Sequence, residues 1–396
     1  NVLWTDKICG AGIAWVLAKR LADGKTRPCG KDGSFLVPKQ LDLVALATIA
    51  DIQSLLGPNR SFAKFGLEEL NRTLRVGLKE LIKVARIEGR RIGTYEVGWV
   101  LAPRLNAAGR LASAMDSLRL LLTSDRVRAR TLAEKLDRIN RARQEKTDEM
   151  VELARKDAMV QISKNTKVTI VSHKSYHEGV IGLLAGKLVG EFYRPAVAIA
   201  KGEEFSKGSA RSISGFNIVE VLREAEDLFE SVGGHPMAAG FTIRTEKISE
   251  FQVRFSELAK KHLSEEALQP VLMIDLRLPP SLISWELWER IENFEPFGLA
   301  NPRPLFLSRE VGVVDVIGVG SEGQHLKLKL QNIGDNPFSN LCKSVLSAIG
   351  FGMGDWASRL CLGDTIDIVY SLEENLWNGR RSLELKLKDL RKSGES

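Results

Sequence analysis

The sequence predicts a multidomain α/β protein, and three observations lead there. Apolar residues recur at helical spacing through the first 125 residues. Strand and helix patterns then alternate between about 160 and 265, and after Pro270 the pattern turns mostly to short strands. At 396 residues the chain has room for two or three domains with sizeable cores, and 44% hydrophobic residues fit a globular chain rather than a disordered one. No run of eighteen apolar residues occurs, which argues against a membrane-spanning helix.

Element by element, "CGAGIAWVLAKRLADG" (9–24) predicts a helix closed by Gly24, and "GKTRPCGKDGSF" a loop. "LDLVALATIADIQSLLGPNR" (41–60) is apolar through Ala50 and broken by Asp51. Residues 67–86 predict one helix, and "EVGWVLAPRLNAAGR" (96–110) a helix in its first half. Residues 126–157 lack Gly and Pro and carry ten basic against seven acidic side chains. With Leu132, Leu136, Ile139, Met150 and Leu153 at roughly helical spacing, they predict a long, largely exposed helix joining two domains. A surface helix within one domain is the alternative.

From 167 onward "KVTIV", "GVIGLLAGKLVGEF" and "RPAVAIA" make a strand, a helix and a strand, a βαβ unit with a right-handed crossover. "KGSARSIS" and "AAGFTI" predict further strands around the helix "NIVEVLREAEDLFE". In "HLKLKL" (325–330), Leu326, Leu328 and Leu330 alternate with Lys327 and Lys329. "RSLELKLKDLR" (381–391) repeats this with Leu383, Leu385 and Leu387 inward, after the Asn-Gly turn of "WNGR". Short strands with one apolar and one basic face predict a small barrel of the oligonucleotide-binding type, with a β-sandwich as the alternative.

The net charge of +7 favours an anionic partner, most often nucleic acid, against a plain solvated basic surface. The four cysteines lack C-x-x-C spacing, which fits unpaired thiols in a reducing cytoplasm better than disulfides or zinc.

Several residues could carry chemistry. Asp51 ends an apolar run, so its carboxylate needs a cation, a metal or several donors; a cap or salt bridge is the alternative. In "APRLNAAGRL" (102–111), Arg104 and Arg110 flank small residues and could grip phosphate, against a turn with two surface arginines. In "KGSARSISGF" (207–216), Ser209 and Arg211 share a face if the strand alternates and could seat a phosphate, with Ser212 beside them; an exposed edge strand is the bland reading. His177 and Glu178 precede a helix opened by Gly179, where Glu178 complements the helix end and His177 could meet a ligand. In "GGHPMAAG", Gly233 and Gly234 permit close approach and an anion-binding concavity, to which His235 adds a donor or a proton; a structural histidine is the alternative.

In order along the chain, "LDLVALATIADIQSLLGPNR", "LAPRLNAAGRL", "YHEGVIGLLAGKL", "KGSARSISGFNIVEVL", "GGHPMAAGF" and "FEPFGLANPRPLF" resemble the RecJ family of single-strand-specific DNA exonucleases, within the DHH phosphoesterase superfamily. The resemblance implies the C-terminal part of a DHH catalytic domain (1–125), a connecting helix (126–160), a DHH-associated domain (161–268) and an OB-fold nucleic-acid-binding barrel (269–396). Asp51 then matches the last metal-binding aspartate. Arg110 and Asn106 match DNA-phosphate contacts, and Ser209 and Arg211 substrate-phosphate contacts. His235 lies near the scissile phosphate, and Gly233 and Gly234 belong to the same motif. The implied chemistry is 5′ to 3′ hydrolysis of single-stranded DNA in recombination and repair, with two Mn²⁺ or Mg²⁺ ions activating water. The barrel and the basic helix would retain the strand.

The family also requires an upstream Asp-x-Asp, a further Asp and an Asp-His-His, and no "DHH" occurs in this sequence. The chain opens "NVLWTDKICGAG" without methionine and is read as a fragment, inactive by itself. The expected partners are single-stranded DNA, a helicase and a single-strand-binding protein, for a cytoplasmic monomer without membrane attachment. Two other functions compete: a non-catalytic single-strand-binding module, and a DHH phosphodiesterase acting on short oligonucleotides. The C-terminal barrel weighs against the second.

Overall fold

The computed structural model describes residues 7–23, 40–111, 113–332, 345–377 and 379–394. The expectations that rest on Gly24, the loop after it, Cys29, Cys342 and Asn378 lie outside the described residues. The chain divides into two compact units, with cuts after Asn71 and after Val271.

The unit that begins the chain opens with α1 (Gly10–Asp23), α2 (Leu41–Ala50) and α3 (Gly57–Asn71). The apolar run of α2 buries Val44, Ala45 and Leu46, and Asp51 caps its C-terminal end. The single helix expected over 67–86 is broken in two. After α3 ends at Asn71, the Thr73 hydroxyl accepts the Arg75 N–H (3.2 Å), a local turn that competes with the helical ladder.

The second unit continues with α4 (Val76–Val84), then a π-helical stretch (Glu96–Leu101) leading into α5 (Ala102–Leu111). Here the helix runs through the whole "NAAGR" segment, further than expected, because the π-helical stretch passes directly into α5 and carries Pro103 within one continuous helical run. Next come α6 (Met115–Leu122) and the 38-residue α7 (Arg126–Ser163), whose N-cap Asp125 accepts the N–H groups of Val127 (2.8 Å) and Arg128 (3.2 Å). The buried stripe of α7 is built largely from Ala129, Ala133, Ala154 and Ala158, while Leu153 is exposed. Small side chains let the neighbouring helices approach closely, and a reading weighted to large apolar residues passes over them.

The α/β part follows as β1 (Thr169–His173), α8 (Ile181–Phe192), β2 (Ala196–Ala200), β3 (Phe205–Arg211), α9 (Ile218–Arg223), β4 (Phe229–His235), β5 (Ala238–Arg244) and α10 (Ile248–His262). The strand order is β1-β2-β3-β5-β4, with β1 and β2 parallel and the rest antiparallel. The expected helix over 217–230 is much shorter, because Phe229 already opens β4 and "SVGGH" is strand rather than loop. One face of the sheet presents Val197, Ile199, Ala210, Phe241 and Ile243 to a core that includes Phe251 and Phe255 of α10. On the other face, Ala196, Ala198 and Ala200 of β2 pack with α7 and α8.

The remainder of the first unit comprises β6 (Leu276–Arg277), α11 (Trp285–Glu292), β7 (Phe306–Val319), β8 (His325–Asn332), β9 (Leu346–Gly350), β10 (Thr365–Trp377) and β11 (Arg380–Lys392). The pairings run β7-β8-β9-β11-β10 and return from β10 to β7, which closes a five-stranded barrel with β9 and β11 parallel. Closure excludes the sandwich. Leu326, Leu328 and Leu330 are fully buried, as their alternation predicts, with Leu385 and Leu387 beside them. Gly379 (φ 75°) lies in the two-residue connection between β10 and β11. Cys9 is a buried free thiol and Cys361 an exposed one.

Candidate nucleic-acid interface

The register of β3, β5 and β4 assembles the site. Directly opposed residues of antiparallel neighbours point to the same face. Arg211 faces Ala238 and Ala238 faces His235, while Ser209 faces Gly240 and Gly240 faces Gly233. Two rows therefore cross three strands, with small residues in the middle of each. Arg211 and Ser209 stand on one side of this trough and His235 on the other, two strand spacings or roughly 9–10 Å apart at the backbone. Lys207, Thr242 and Ser231 extend the same face: Lys207 Nζ donates to Thr242 Oγ1 (2.8 Å) and Ser231 Oγ to the same oxygen (3.2 Å). His235, Gly233 and Gly240 are exposed, so this part of the face is open.

The two glycines have different duties. Gly234 has φ 153°, and a Cβ there would lie 2.3 Å from Ala238 O, so only glycine lets β4 approach β5 in this way. A Cβ on Gly233 would meet open space. The concavity of backbone N–H groups expected here is instead a strand at the sheet edge. Its tip is fixed by the Ser212 and Ile218 N–H groups donating to Met237 O (3.0 Å) and Pro236 O (3.0 Å).

Arg211 Nη1 donates to Ser209 Oγ (3.1 Å), so the two residues do share a face as the alternation predicts. The α8 backbone lies directly against the pair: a Cβ on Gly182 would come within 2.8 Å of Arg211 Nη2 and 3.2 Å of Ser209 Oγ. Arg110, at the end of α5, donates to Gly179 O (3.3 Å), just ahead of α8. Burial, and then the nearby Arg110 charge, hold the Arg211 guanidinium below the usual arginine range. Arg143 of α7 is lowered in the same way, first by burial and next by Arg110. Its Nε is buried without a partner. Guanidinium does not deprotonate in proteins, so these shifts express crowded, partly desolvated positive charge that an anion relieves.

Arg143 escaped the sequence reading, although a signal was there. Leu136, Asn140, Arg143, Thr147 and Met150 follow the 4-3-4-3 spacing of a buried helical stripe, and polar residues on such a stripe are informative. Asn140 and Thr147 are indeed buried.

Other candidates take different places. Arg104 is committed within the fold: Nε donates to Asp137 Oδ1 (2.9 Å) and Nη1 to Val100 O (2.7 Å). Asn106 is exposed on α5, one turn before Arg110. Ser212 does not join Ser209 and Arg211, because it is buried and its hydroxyl donates to Phe216 O (2.5 Å). The His177 Nδ1 accepts the Gly179 N–H (3.1 Å), which orients the ring beside Arg110's anchor. Asp51 is exposed rather than enclosed and accepts from Gln53 Nε2 (2.6 Å), next to Ile52 at φ 51°. Among the described residues no three His, Cys, Asp or Glu side chains come together as a metal site, so the residues present do not fit a two-metal centre.

The barrel carries a second, separate surface. Phe351 is exposed, with the His325 ring at 5.1 Å (T-shaped) and Lys386 Nζ 5.7 Å from its centroid. An exposed ring flanked by a cation is a stacking platform for a base. The basic outer face expected of the strands is largely neutralised: Lys327 pairs with Glu384 (3.0 Å), Lys329 with Asp315 (3.6 Å) and Lys386 with Glu373 (3.5 Å).

Comparison with known proteins identifies two domain families in the chain. Residues 165–261 match the DHHA1 domain and residues 274–389 the RecJ OB domain. The chain is 36% identical over 389 residues to the single-stranded-DNA-specific exonuclease RecJ of Bacillus subtilis (strain 168), covering 97% of this chain and 46% of that protein. It is 31% identical to the enzyme of the same name from Salmonella typhimurium, covering 98% of this chain and 67% of that one. The crystal structure of RecJ in complex with Mn²⁺ from Thermus thermophilus superposes with a TM-score of 0.80 at 31% identity, covering 99% of this chain and 54% of that chain. The chain thus spans about half the length of the Bacillus and Thermus proteins. With such likeness over nearly its whole length, and both matched domains in family order, the chain belongs to the RecJ family.

Proposed function

We propose that this chain is the strand-gripping part of a single-stranded-DNA-specific exonuclease that hydrolyses phosphodiester bonds 5′ to 3′ in recombination and repair. The observation that carries the reading is the cationic cluster of Arg110, Arg143 and Arg211 beside Ser209 and the open His235 row. It lies in a chain whose relatives are named single-stranded-DNA-specific exonucleases. Arg211 and Ser209 take one phosphate, Arg110 and Arg143 a neighbouring one, and His235 donates to an oxygen between the rows. Each charge-assisted contact contributes on the order of 1.5–3 kcal/mol. Mn²⁺ or Mg²⁺, the ions of the Thermus complexes, would supply activated water in the whole enzyme. The side chains described here bind and orient the strand. The wider reading keeps the boundaries 1–125, 126–160, 161–268 and 269–396, a monomeric cytoplasmic protein, and a helicase and a single-strand-binding protein as partners. Among the described residues no helix is long and apolar enough to cross a membrane.

The donor set favours a second element of the proposal: these 396 residues bind single-stranded DNA and leave it intact. The test incubates the chain with 5′-labelled single-stranded and duplex DNA and Mn²⁺. Retention of the single strand without shortening is expected, with affinity lowered about tenfold or more by Arg211→Ala and less by His235→Ala. Shortened products overturn the non-cleaving reading, and equal affinity for duplex overturns the single-strand assignment.

A further inference from the structure

We propose that the groove between α4 and the N-terminal half of α7 is a second binding track for single-stranded nucleic acid, reached from the Arg110–Arg143–Arg211 face. The groove encloses about 770 Å³ and is lined by Lys83, Arg86, Arg126, Arg130, Arg138 and Arg141. The inference rests on the phosphate-binding reading of that face and extends it.

Charge is the first observation. Three acids in the groove are already engaged: Glu80 with Arg126 (3.1 Å) and Lys83 (3.6 Å), Glu134 with Arg130 (3.0 Å), and Asp137 with Arg141 (2.7 Å). Arg86 and Arg138 have no acidic partner among the described residues. Glu80 and Asp137 are buried and hold Lys83, Arg126 and Arg141 in place. The exposed Arg130–Glu134 pair contributes little and opens readily, so Arg130, Arg86 and Arg138 can turn toward a polyanion.

The second observation is the backbone at Arg86. It occupies the position just past α4 where the Arg86 N–H donates to Lys83 O (2.9 Å) and the Ile87 N–H to Ile82 O (3.2 Å), with φ 59°. Glycine is the usual residue in that left-handed turn. The chain holds an arginine there, on the wall of the groove. Such outliers gather where function requires a particular side chain.

The third is continuity. Asp137 receives Arg141 on one oxygen and Arg104 on the other, and the Arg104 charge is felt by Arg143. The groove and the sheet face therefore join through one charged network within a single unit. The lining also selects the occupant. Among the described residues, Val84 and Val127 are its only apolar side chains. A peptide docks by burying apolar anchors, whereas a sugar–phosphate chain needs none, and guanidinium forks match phosphate oxygens.

The experiment compares fluorescent, 5′-phosphorylated oligothymidylates of about 4 and about 20 nucleotides by anisotropy across a salt series. For Arg86→Gly/Arg138→Gln the longer probe is expected to bind roughly five- to twentyfold more weakly near 50 mM salt, with a log–log salt slope shallower by about 1.4. The short probe is expected to be unaffected. The melting temperature should not fall, since glycine suits the position of Arg86, so unfolding cannot mimic the result. An unchanged slope for the long probe, or equal losses for both lengths, overturns the groove. Arg211→Ala separates the two readings. It weakens both probes if the sheet face holds phosphate. Its failure to do so overturns the sheet-face reading, while the length-dependent loss still supports the groove. If the double variant loses an oligoglutamate probe but keeps the DNA, the occupant is an acidic peptide and the proposal falls.

Discussion

At the scale of single residues, the grip on phosphate depends on atoms that the chain omits as much as on those it carries. Arg211 and Ser209 can lie flat on β3 because Gly182 leaves no Cβ above them, and Ala238 and Gly240 leave the trough to His235 clear. In Gly182→Ala the new methyl meets the far end of a flexible guanidinium at 2.8 Å rather than backbone. The guanidinium moves and the helix persists, since Gly182 lies in the first turn of α8 at a helical position that alanine also adopts. We expect a melting temperature unchanged or raised by a few degrees, alongside an affinity for short oligothymidylate lowered about tenfold. Unchanged affinity in anisotropy measurements would show that Arg211 is not the contact. Much of this pairing was legible beforehand, because strand alternation alone put Ser209 and Arg211 together. Ser212 could not be excluded in that way. It lies one residue beyond the end of β3, and only the turn to Phe216 shows its hydroxyl facing inward.

At the scale of elements, α7 ties its unit together, and its start is fixed by one side chain. Asp125 satisfies two backbone N–H groups that would otherwise have no partner. Asp125→Ala should lower urea-derived stability by about 1 kcal/mol, within a range of about 0.5–2. Asp125→Asn should recover most of it, which separates capping from charge. A loss no smaller in the asparagine variant would assign the effect to charge instead. The presence and length of this helix were plain in the sequence, since it lacks Gly and Pro over 126–157. Its buried face was not, because alanines and a few polar residues form it and their burial depends on what packs opposite. The same limit hid β4. "SVGGH" has little strand character, and it becomes a strand because β5 supplies its hydrogen bonds and Gly234 permits the approach.

At the scale of the whole molecule, each unit encloses a tyrosine in its own core. Tyr370 in the barrel is pushed up to about 12 by burial, against a smaller opposing effect of its hydrogen bond with Ser308 (2.9 Å). Tyr176, packed with α7 and α8, is likewise pushed up to about 12 by burial and secondarily by Asp157. In both units the folded state keeps a proton that the unfolded chain releases near pH 10. Their contribution is complete below about pH 10 and is lost as the pH rises from there toward 12. Denaturant midpoints should therefore fall between about pH 10 and 11.5, with the fall reduced for Tyr370→Phe or Tyr176→Phe. A pH-independent midpoint across that window would mean that neither hydroxyl is held in its protonated form.

The sequence alone determined the classes of structure and their order. Period-2 leucines made the barrel strands, glycine- and proline-free periodicity made the long helix, and six short motifs in a fixed order made the family recognisable. These properties depend on neighbours a few residues away, which a linear reading can see. The tertiary structure decided which candidates meet. The strand register set His235 across from Arg211, helix packing brought Arg143 into the same field as Arg110, and pairing across the barrel neutralised Lys327, Lys329 and Lys386. Those outcomes depend on residues far apart in the chain, and on the desolvation and charge that arise only when they are packed together.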